Sequence, residues 1–556
     1  NETFFLDHHV EVMLGMEYYN KYQRGFEAQG QGAPTDDLPD LSLTDKGEGK
    51  RTINSWHEKQ RILSFFGRLN YDFKDKYLLS FVFRRDGYSS LLGDNRWGFF
   101  PGVSAGWIFG REDFIKEAIP VMSFGKLRAS YGINGNASGI GAYTLQGSYG
   151  SSNSNGSFNY NGNTSYLITE LPNPNLRWEK TATFEVGADL SFFANRLNTN
   201  LTYYNRLTSD KYAALSFPTS TGFSSVTNNN GEFRNQGIEI ELSGKIIDSK
   251  DWTWSASGNI AFNKNKIVSL PDNGMERNRI NAFQVYTGNG DEKKWVGGQQ
   301  EGQEPGILYL YQADGIYRSY DEIPANLVRK YGSRTYYGPE AWNKLTAEQQ
   351  NATTNFPIQP GDTKFHDVNG DDVIDEFDKV KVGATSPRWT GGFNTTLRWK
   401  NFQLYGRFDY ALGFWLYENS GTQSTTPWFM GCYQGTYNTP TMYYDTWSES
   451  NPNAKYPRYL FADQNGKNNY IASTMFAYRG DYLAIREISL SYSLPESVAK
   501  MLKMQRAEVS ITGQNLGYIT GAKNVGSPEA NPKDNGAVGQ GYSLPRTILF
   551  GVNLTF

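Results

Sequence analysis

The sequence is short of the residues that reactive chemistry uses most. One cysteine, Cys432, excludes an internal disulfide framework and leaves no thiolate cluster for a metal. An inert side chain is the expected role for it. The four histidines, His8, His9, His57 and His366, show no HExxH spacing, and the adjacent His8 and His9 point to opposite faces of a strand. Neither a phosphate-cradling GxxxxGK[ST] loop nor a nucleophile elbow of the GxSxG type is expected. Positive charge is not in excess: a net charge of −3 with 20% charged residues argues against a nucleic-acid partner. No apolar run approaches the ~18 residues of a transmembrane helix, and no basic-then-apolar signal peptide opens the chain. It starts in "NETFFLDHHVEVMLGMEYYNKY", already strand-like, as expected if a signal peptide has been removed or a longer segment lies upstream.

What the chain has in quantity is aromatic residues and glycine. Aromatics make up 15%, with 37 Tyr, 34 Phe and 13 Trp beside 58 Gly, a composition suited to boundaries between polar and apolar surroundings. At 556 residues the chain exceeds one ordinary soluble core, unless a single barrel absorbs it. Periodicity decides the class. In the closing "TILFGVNLTF", Ile548, Phe550, Val552, Leu554 and Phe556 share one face, while Leu549, Gly551, Asn553 and Thr555 share the other. "TATFEVGADLSF", "GIEIELSGKI", "WTWSASGNIAFN", "RWTGGFNTTLRW" and "NFQLYGRFDY" repeat the alternation with charged or amide residues on the polar side, Glu239, Glu241, Arg407 and Asp409 among them.

Connection lengths alternate as well. Short turns fall at 74–75, 193–196, 248–251 and 400–401, and long polar stretches at about 20–60, 134–177, 209–232, 264–386, 414–477 and 516–543. "REDFIKEAIP" and "PESVAKMLKM" are short-side connections with room for a helical turn. The pattern predicts an all-β chain: a transmembrane antiparallel β-barrel of about 14 strands, with 264–386 as its longest outer loop. Runs of about ten residues at ~3.3 Å each, tilted ~45°, cover a hydrocarbon layer of ~25 Å. A closed barrel in a lipid bilayer also reconciles membrane residence with a mean hydropathy of −0.60, since only alternate residues meet lipid. A soluble β-sandwich, propeller or adhesin shares parts of this pattern.

Several segments resemble the SusC-type TonB-dependent outer-membrane transporters: "WGFFPGVSAGWIFGREDF" (97–114), "NPNLRWEKTATFEVG" (173–187), "NNGEFRNQGIEIEL" (229–242), "EGQEPGILYLYQADGIY" (301–317), "DVNGDDVIDEFDKVKVG" (367–383), "YLAIREISLSYSLPESVAKMLKMQRAEVSITGQNL" (482–516) and "LPRTILFGVNLTF". The resemblance implies a 22-stranded barrel, an N-terminal plug, a segment that engages the TonB system, a SusD-type surface lipoprotein as partner, and import of oligosaccharides or, in some members, peptides. The match is to the C-terminal part of that pattern across residues 1–556, with plug and TonB-contacting segment outside this chain. Phe556 then resembles the terminal aromatic that serves as the barrel-assembly signal. A passive porin and an exported adhesin or glycan-binding β protein are the other readings.

One stretch has metal-ligand spacing. In "DVNGDDVIDEFD", Asp367, Asn369, Asp371, the Val373 carbonyl, Asp375 and Asp378 take positions 1, 3, 5, 7, 9 and 12 of a loop for a hard cation such as Ca²⁺. Asp372 stands where a glycine normally turns, and Asp378 is one methylene shorter than the usual bidentate Glu; an acidic surface turn fits the same residues. Any bound Ca²⁺ would be structural, clipping the long loop. No cofactor for catalysis and no enzymatic activity are expected, carboxylates such as Glu239 and Glu241 reading as lumen lining. Loop aromatics Trp295, Trp342, Trp428, Tyr309, Tyr311 and Tyr317 are candidates for stacking on a ligand or a lid protein, with loop-internal packing as the plainer role.

Overall fold

The computed structural model describes the chain apart from residues 1, 5–6, 39, 48, 152–158, 161–162, 418–444, 459–470, 523–526 and 530–543. Trp428 and Cys432 therefore lie outside the described residues. The principal sheet has 15 strands that neighbour one another in chain order. They are β1 (Glu2–Phe4), β2 (His8–Gly30), β3 (Arg51–Phe73), β4 (Tyr77–Tyr88), β5 (Trp97–Trp107), β6 (Met122–Asn136), β7 (Glu179–Phe192), β8 (Leu197–Ser216), β9 (Ser225–Asp248), β10 (Trp252–Ser269), β11 (Trp389–Trp399), β12 (Phe402–Leu412), β13 (Tyr482–Ser493), β14 (Arg506–Thr520) and β15 (Thr547–Thr555). β1 is a three-residue piece, so the long strands number the expected fourteen.

The short connections are built as the sequence predicts. Lys74 and Asp75 take φ of 56° and 49° between β3 and β4, the positive-φ pair that matches strand twist in a tight hairpin. "REDFIKEAIP" and "PESVAKMLKM" hold the helices Asp113–Ala118 and Glu496–Met501. Two long connections shrink: the stretch expected at 20–60 is strand except for 31–50, and that at 209–232 is strand except for 217–224. Past the lipid layer the outward face turns polar, so the alternation fades while the ladder of backbone hydrogen bonds continues.

The described chain divides into two compact units, residues 1–192, 201–236 and 265–278 in one, and 193–200, 237–264 and 279–556 in the other. In the first unit, antiparallel register lines up Val12, Leu69, Phe81, Val103, Tyr131 and Phe184 from β2 to β7 on one face. Each of those six side chains is between 38% and 60% exposed, which no protein core would leave across six consecutive strands. One residue along, Glu11, Asn70, Ser80, Ser104, Ser130 and Glu185 form the matching row on the other face. The core of this unit sits at the long-loop end, where Trp178 packs edge-on to Phe100 at 5.4 Å among Tyr88, Leu91, Ile140, Leu145 and Leu176.

The second unit repeats the division. Trp254, Leu397, Leu404, Leu490, Ile511 and Phe550 line up on the apolar face of β10 to β15, and Ser257, Asn394, Arg407, Glu487, Gln514 and Thr547 on the polar one. The longest connection, expected as a polar loop, carries a fold of its own. Its strands Ile307–Tyr311 and Lys379–Ala384 pair, as do Val328–Tyr331 and Arg334–Tyr337. They enclose a core of Tyr311, Tyr317, Ile323, Leu327, Tyr336, Ile358, Phe365 and Ile374.

Candidate functional site

The polar faces carry the candidate site, because each unit opens a cavity on its own polar rows. In the second unit it has a volume of about 660 Å³ and is walled by Asn200, Ser257, Asn259, Asn394, Arg407 and Asp409, with further neighbours. Local pairing holds these side chains in place. Ser257 Oγ donates to Asn394 Oδ1 at 3.0 Å, and Asn259 Oδ1 accepts from the Gly392 amide at 2.7 Å. Gly391 keeps the wall thin: a Cβ there would lie 2.1 Å from the Asn259 carbonyl oxygen and 2.5 Å from the Tyr410 hydroxyl. Arg407 lies 3.8 Å from Asp409, so the charges in this wall are largely balanced.

The cavity of the first unit, about 500 Å³, is lined by Asn70, Ser80, Ser104, Lys126, Arg128 and Glu185 among others. Asn70 Nδ2 donates to Glu11 at 3.1 Å, Arg128 Nε pairs with Asp189 at 3.2 Å, and Arg206 pairs with Glu185 at 3.2 Å. Hydroxyls, amides and paired charges both donate and accept, which suits polar ligands held by many weak hydrogen bonds rather than one strong anchor. Ser104 corrects one sequence expectation. "GVSAG" at 102–106 does spell GxSxG, yet Ser104 sits in mid-strand opposite Ser80 and Ser130, with no strand-to-helix turn to present a nucleophile.

The loop aromatics separate into two groups. Tyr311 and Tyr317 are 4% and 2% exposed in the loop's own core, so these two present no ring face to a ligand or a lid. Burial raises the phenol pKa of both, to about 12 for Tyr317. Trp295, Trp342 and Tyr309 are half-buried. Trp295 carries the Arg279 guanidinium 3.9 Å from its ring centre, Trp342 lies 6.2 Å from Tyr337, and Tyr309 meets Phe283 edge-on at 5.8 Å. Phe556 is 75% exposed.

The acidic stretch folds into a turn closed by its own amides. Asp367 accepts from the amides of Gly370 and Asp372, both at 2.8 Å, and Asp371 from Val373 at 2.7 Å. Asp378, fully buried, accepts from Val368 at 2.9 Å and Asp375 at 2.7 Å. Asp372 takes φ of 61°, so the sharp turn forms without the glycine; Asp tolerates that region better than most residues. Among the described residues no three His, Cys, Asp or Glu side chains converge to hold a metal. Asn369 Oδ1 is buried without a partner among the described residues, while its amide donates to Asp291 at 2.8 Å.

Sequence reasoning missed the charges inside the outer loop. Arg329 is 2% exposed, its guanidinium 4.5 Å from the Tyr336 ring and 4.9 Å from Phe365, and burial lowers its pKa. Asp362, fully buried, pairs with Arg458 Nε at 2.7 Å. No spacing signals either, because their burial comes from segments far apart in the chain.

Three comparisons agree with this geometry. Residues 1–338 match the family model described as "TonB dependent receptor-like, beta-barrel". The chain is 28% identical to TonB-dependent receptor P3 of Formosa agariphila over 99% of this chain and 51% of that protein, and 27% identical to TonB-dependent receptor SusC of Bacteroides thetaiotaomicron over 98% and 48%. The solved structure of the RagAB peptide transporter superposes with a TM-score of 0.72 at 23% identity, covering 100% of this chain and 54% of that one. The chain thus spans about half the length of the curated relatives it matches. With exposed apolar and polar rows alternating from β2 to β7 and from β10 to β15, the chain belongs to the TonB-dependent receptor-like β-barrel family and, like the SusC-type receptors it resembles, to the bacterial outer membrane.

Proposed function

We propose that this chain forms the barrel wall, polar lumen and outer loops of a SusC-type importer that carries oligosaccharides across the outer membrane. The observation that carries the reading is the unbroken polar row on each unit, Glu11 to Glu185 in one and Ser257 to Thr547 in the other, backed by a lipid-facing apolar row. Hydroxyl- and amide-rich walls match a ligand with many hydroxyls and little charge. The plug that gates the pore, the segment that couples to TonB and a SusD-type surface lipoprotein complete the importer from outside this chain. A peptide is the second reading, favoured by the name of the RagAB peptide transporter. The acidic turn and Phe556 serve structural roles in this proposal, a loop clip closed by its own backbone amides and an assembly signal.

Uptake by cells expressing the full-length receptor and its partner lipoprotein tests the proposal. Labelled oligosaccharides should enter in an energy-dependent way, and Asn394→Ala with Asn259→Ala should slow entry without lowering barrel abundance. Entry of peptides alone would move the substrate to the second reading. Entry that persists after the membrane potential is collapsed would overturn energised import in favour of a porin.

A further inference from the structure

The first unit presents a second lipid-related surface directly beyond its apolar band. On the face of β2 and β3 that carries the band, the paired rungs run Val10/Tyr71, Val12/Leu69, Leu14/Gly67, Met16/Phe65 and Tyr18/Leu63. The next rungs on that face are Asn20/Arg61, Tyr22/Lys59, Arg24/His57 and Phe26/Ser55. Character therefore changes in one step from apolar to cationic and aromatic. Glu27 and Glu58 pair with Asn54 and Gln23 on the opposite face, and no carboxylate lies on these rungs. Asp36, Asp37, Asp40 and Asp45 belong to the connection beyond Gly30. β4 adds Arg85 on the same face, opposite Phe65, its guanidinium 5.2 Å from the Trp97 ring.

These cations are exposed and uncommitted. Arg24, Lys59, Arg61 and Arg85 are all exposed; among the described residues none of the four has an ion-pair partner, and Arg61 reaches only the Asn20 amide oxygen at 3.4 Å. β4 pairs with β3 only as far as Ile62, so above that level β2 and β3 continue as a two-stranded ribbon. The ribbon leaves the long-connection end, which is the outer side in barrels of this architecture. Rungs on one face are about 6.8 Å apart along the strand, so three rungs at ~40° tilt rise ~10 Å, comparable to the thickness of a headgroup layer.

We propose that Arg24, Lys59, Arg61 and Arg85, with Tyr22 and Trp97, form a docking surface for the negatively charged, phosphate-bearing headgroups of the lipids that surround the barrel at its outer face. Continuity with the apolar band places acyl chains against Val12 to Leu63 and brings their headgroups to these cations. Arg supplies paired N–H donors to phosphate oxygens, and Lys a point charge. Tyr and Trp hold the boundary between the two layers.

The test uses full-length protein in nanodiscs of phosphatidylcholine with and without a minor fraction of phosphatidylglycerol, with retained lipids counted by native mass spectrometry. Wild type should retain the anionic lipid preferentially, with the preference shrinking as salt rises. With each basic residue near an anionic surface contributing about fivefold, Arg24→Gln/Lys59→Gln/Arg61→Gln should lower that preference at least tenfold and leave phosphatidylcholine retention unchanged. Lys21→Gln, on the opposite ribbon face, should change nothing. An unchanged preference in the triple variant, an equal loss in Lys21→Gln, or complete displacement of the lipid by inorganic phosphate would each overturn the assignment.

Discussion

Phe393 offers the sharpest test of which face meets lipid. It lies on β11 between Trp389 and Trp399, both on its own face and 41% and 44% exposed. The ten steps between those tryptophans, at ~3.3 Å each and ~45° tilt, cover ~23 Å, about the height of a barrel's apolar band with aromatic belts at its edges. Phe393 therefore sits near mid-depth, 42% exposed and stacked on Phe408 at 4.7 Å. Phe393→Arg loses the stack, about 0.5–1.5 kcal/mol, and places a charge near the bilayer midplane, about 2–4 kcal/mol, for an expected loss of about 3–5 kcal/mol. Thr396→Arg, on the polar face opposite Ser255 and Tyr405, should cost within about 1 kcal/mol. Reversible unfolding of both variants in lipid vesicles measures the two losses. If Phe393→Arg costs no more than Thr396→Arg, the exposed apolar rows do not face lipid and the membrane reading fails.

Three further outcomes follow from the second unit. Burial pushes the Asp378 pKa up to about 6, with Asp375 and Asp367 adding to the rise and the Asp375 and Val368 amides opposing it. A carboxyl that binds its proton more tightly in the fold favours the fold at low pH. Amide protection across 367–378, taken relative to the intrinsic exchange rate at each pH, should thus be greatest below pH ~4 and fall as pH rises through about 6; the reverse trend would refute the burial argument. Asp362→Asn leaves Arg458 without its buried partner and should destabilise the outer loop by about 3 kcal/mol, seen as faster proteolysis within 279–388 while the barrel stays intact. Gly391→Ala should cost about 1–3 kcal/mol by overpacking against the Asn259 carbonyl and the Tyr410 hydroxyl, and an unchanged unfolding midpoint would show that the wall gives way there.

How much of this was legible in the sequence depends on which environment imposed a pattern. Where lipid lies on one side and a polar lumen on the other, the period of two is enforced at every rung, and faces such as Ile548 to Leu554 or Gln403 to Asp409 are legible residue by residue in the chain alone. Once a strand leaves the bilayer that pressure ends. Tyr22 to Gly30 and Arg51 to Lys59 still pair in full register, yet their composition reads as loop. The outer loop shows the converse. Aromatics in a long connection read equally as displayed or as packed, and Tyr311 and Tyr317 of "ILYLYQADGIY" are buried in a local core. Arg329 and Asp362 left no trace, since a buried charge is set by rings and partners such as Tyr336, Phe365 and Arg458, brought from elsewhere in the chain. The cationic ribbon is likewise a product of register, not of local sequence. Arg24, Lys59 and Arg61 are scattered in sequence, and become one surface because Arg24 pairs with His57, Tyr22 with Lys59 and Asn20 with Arg61.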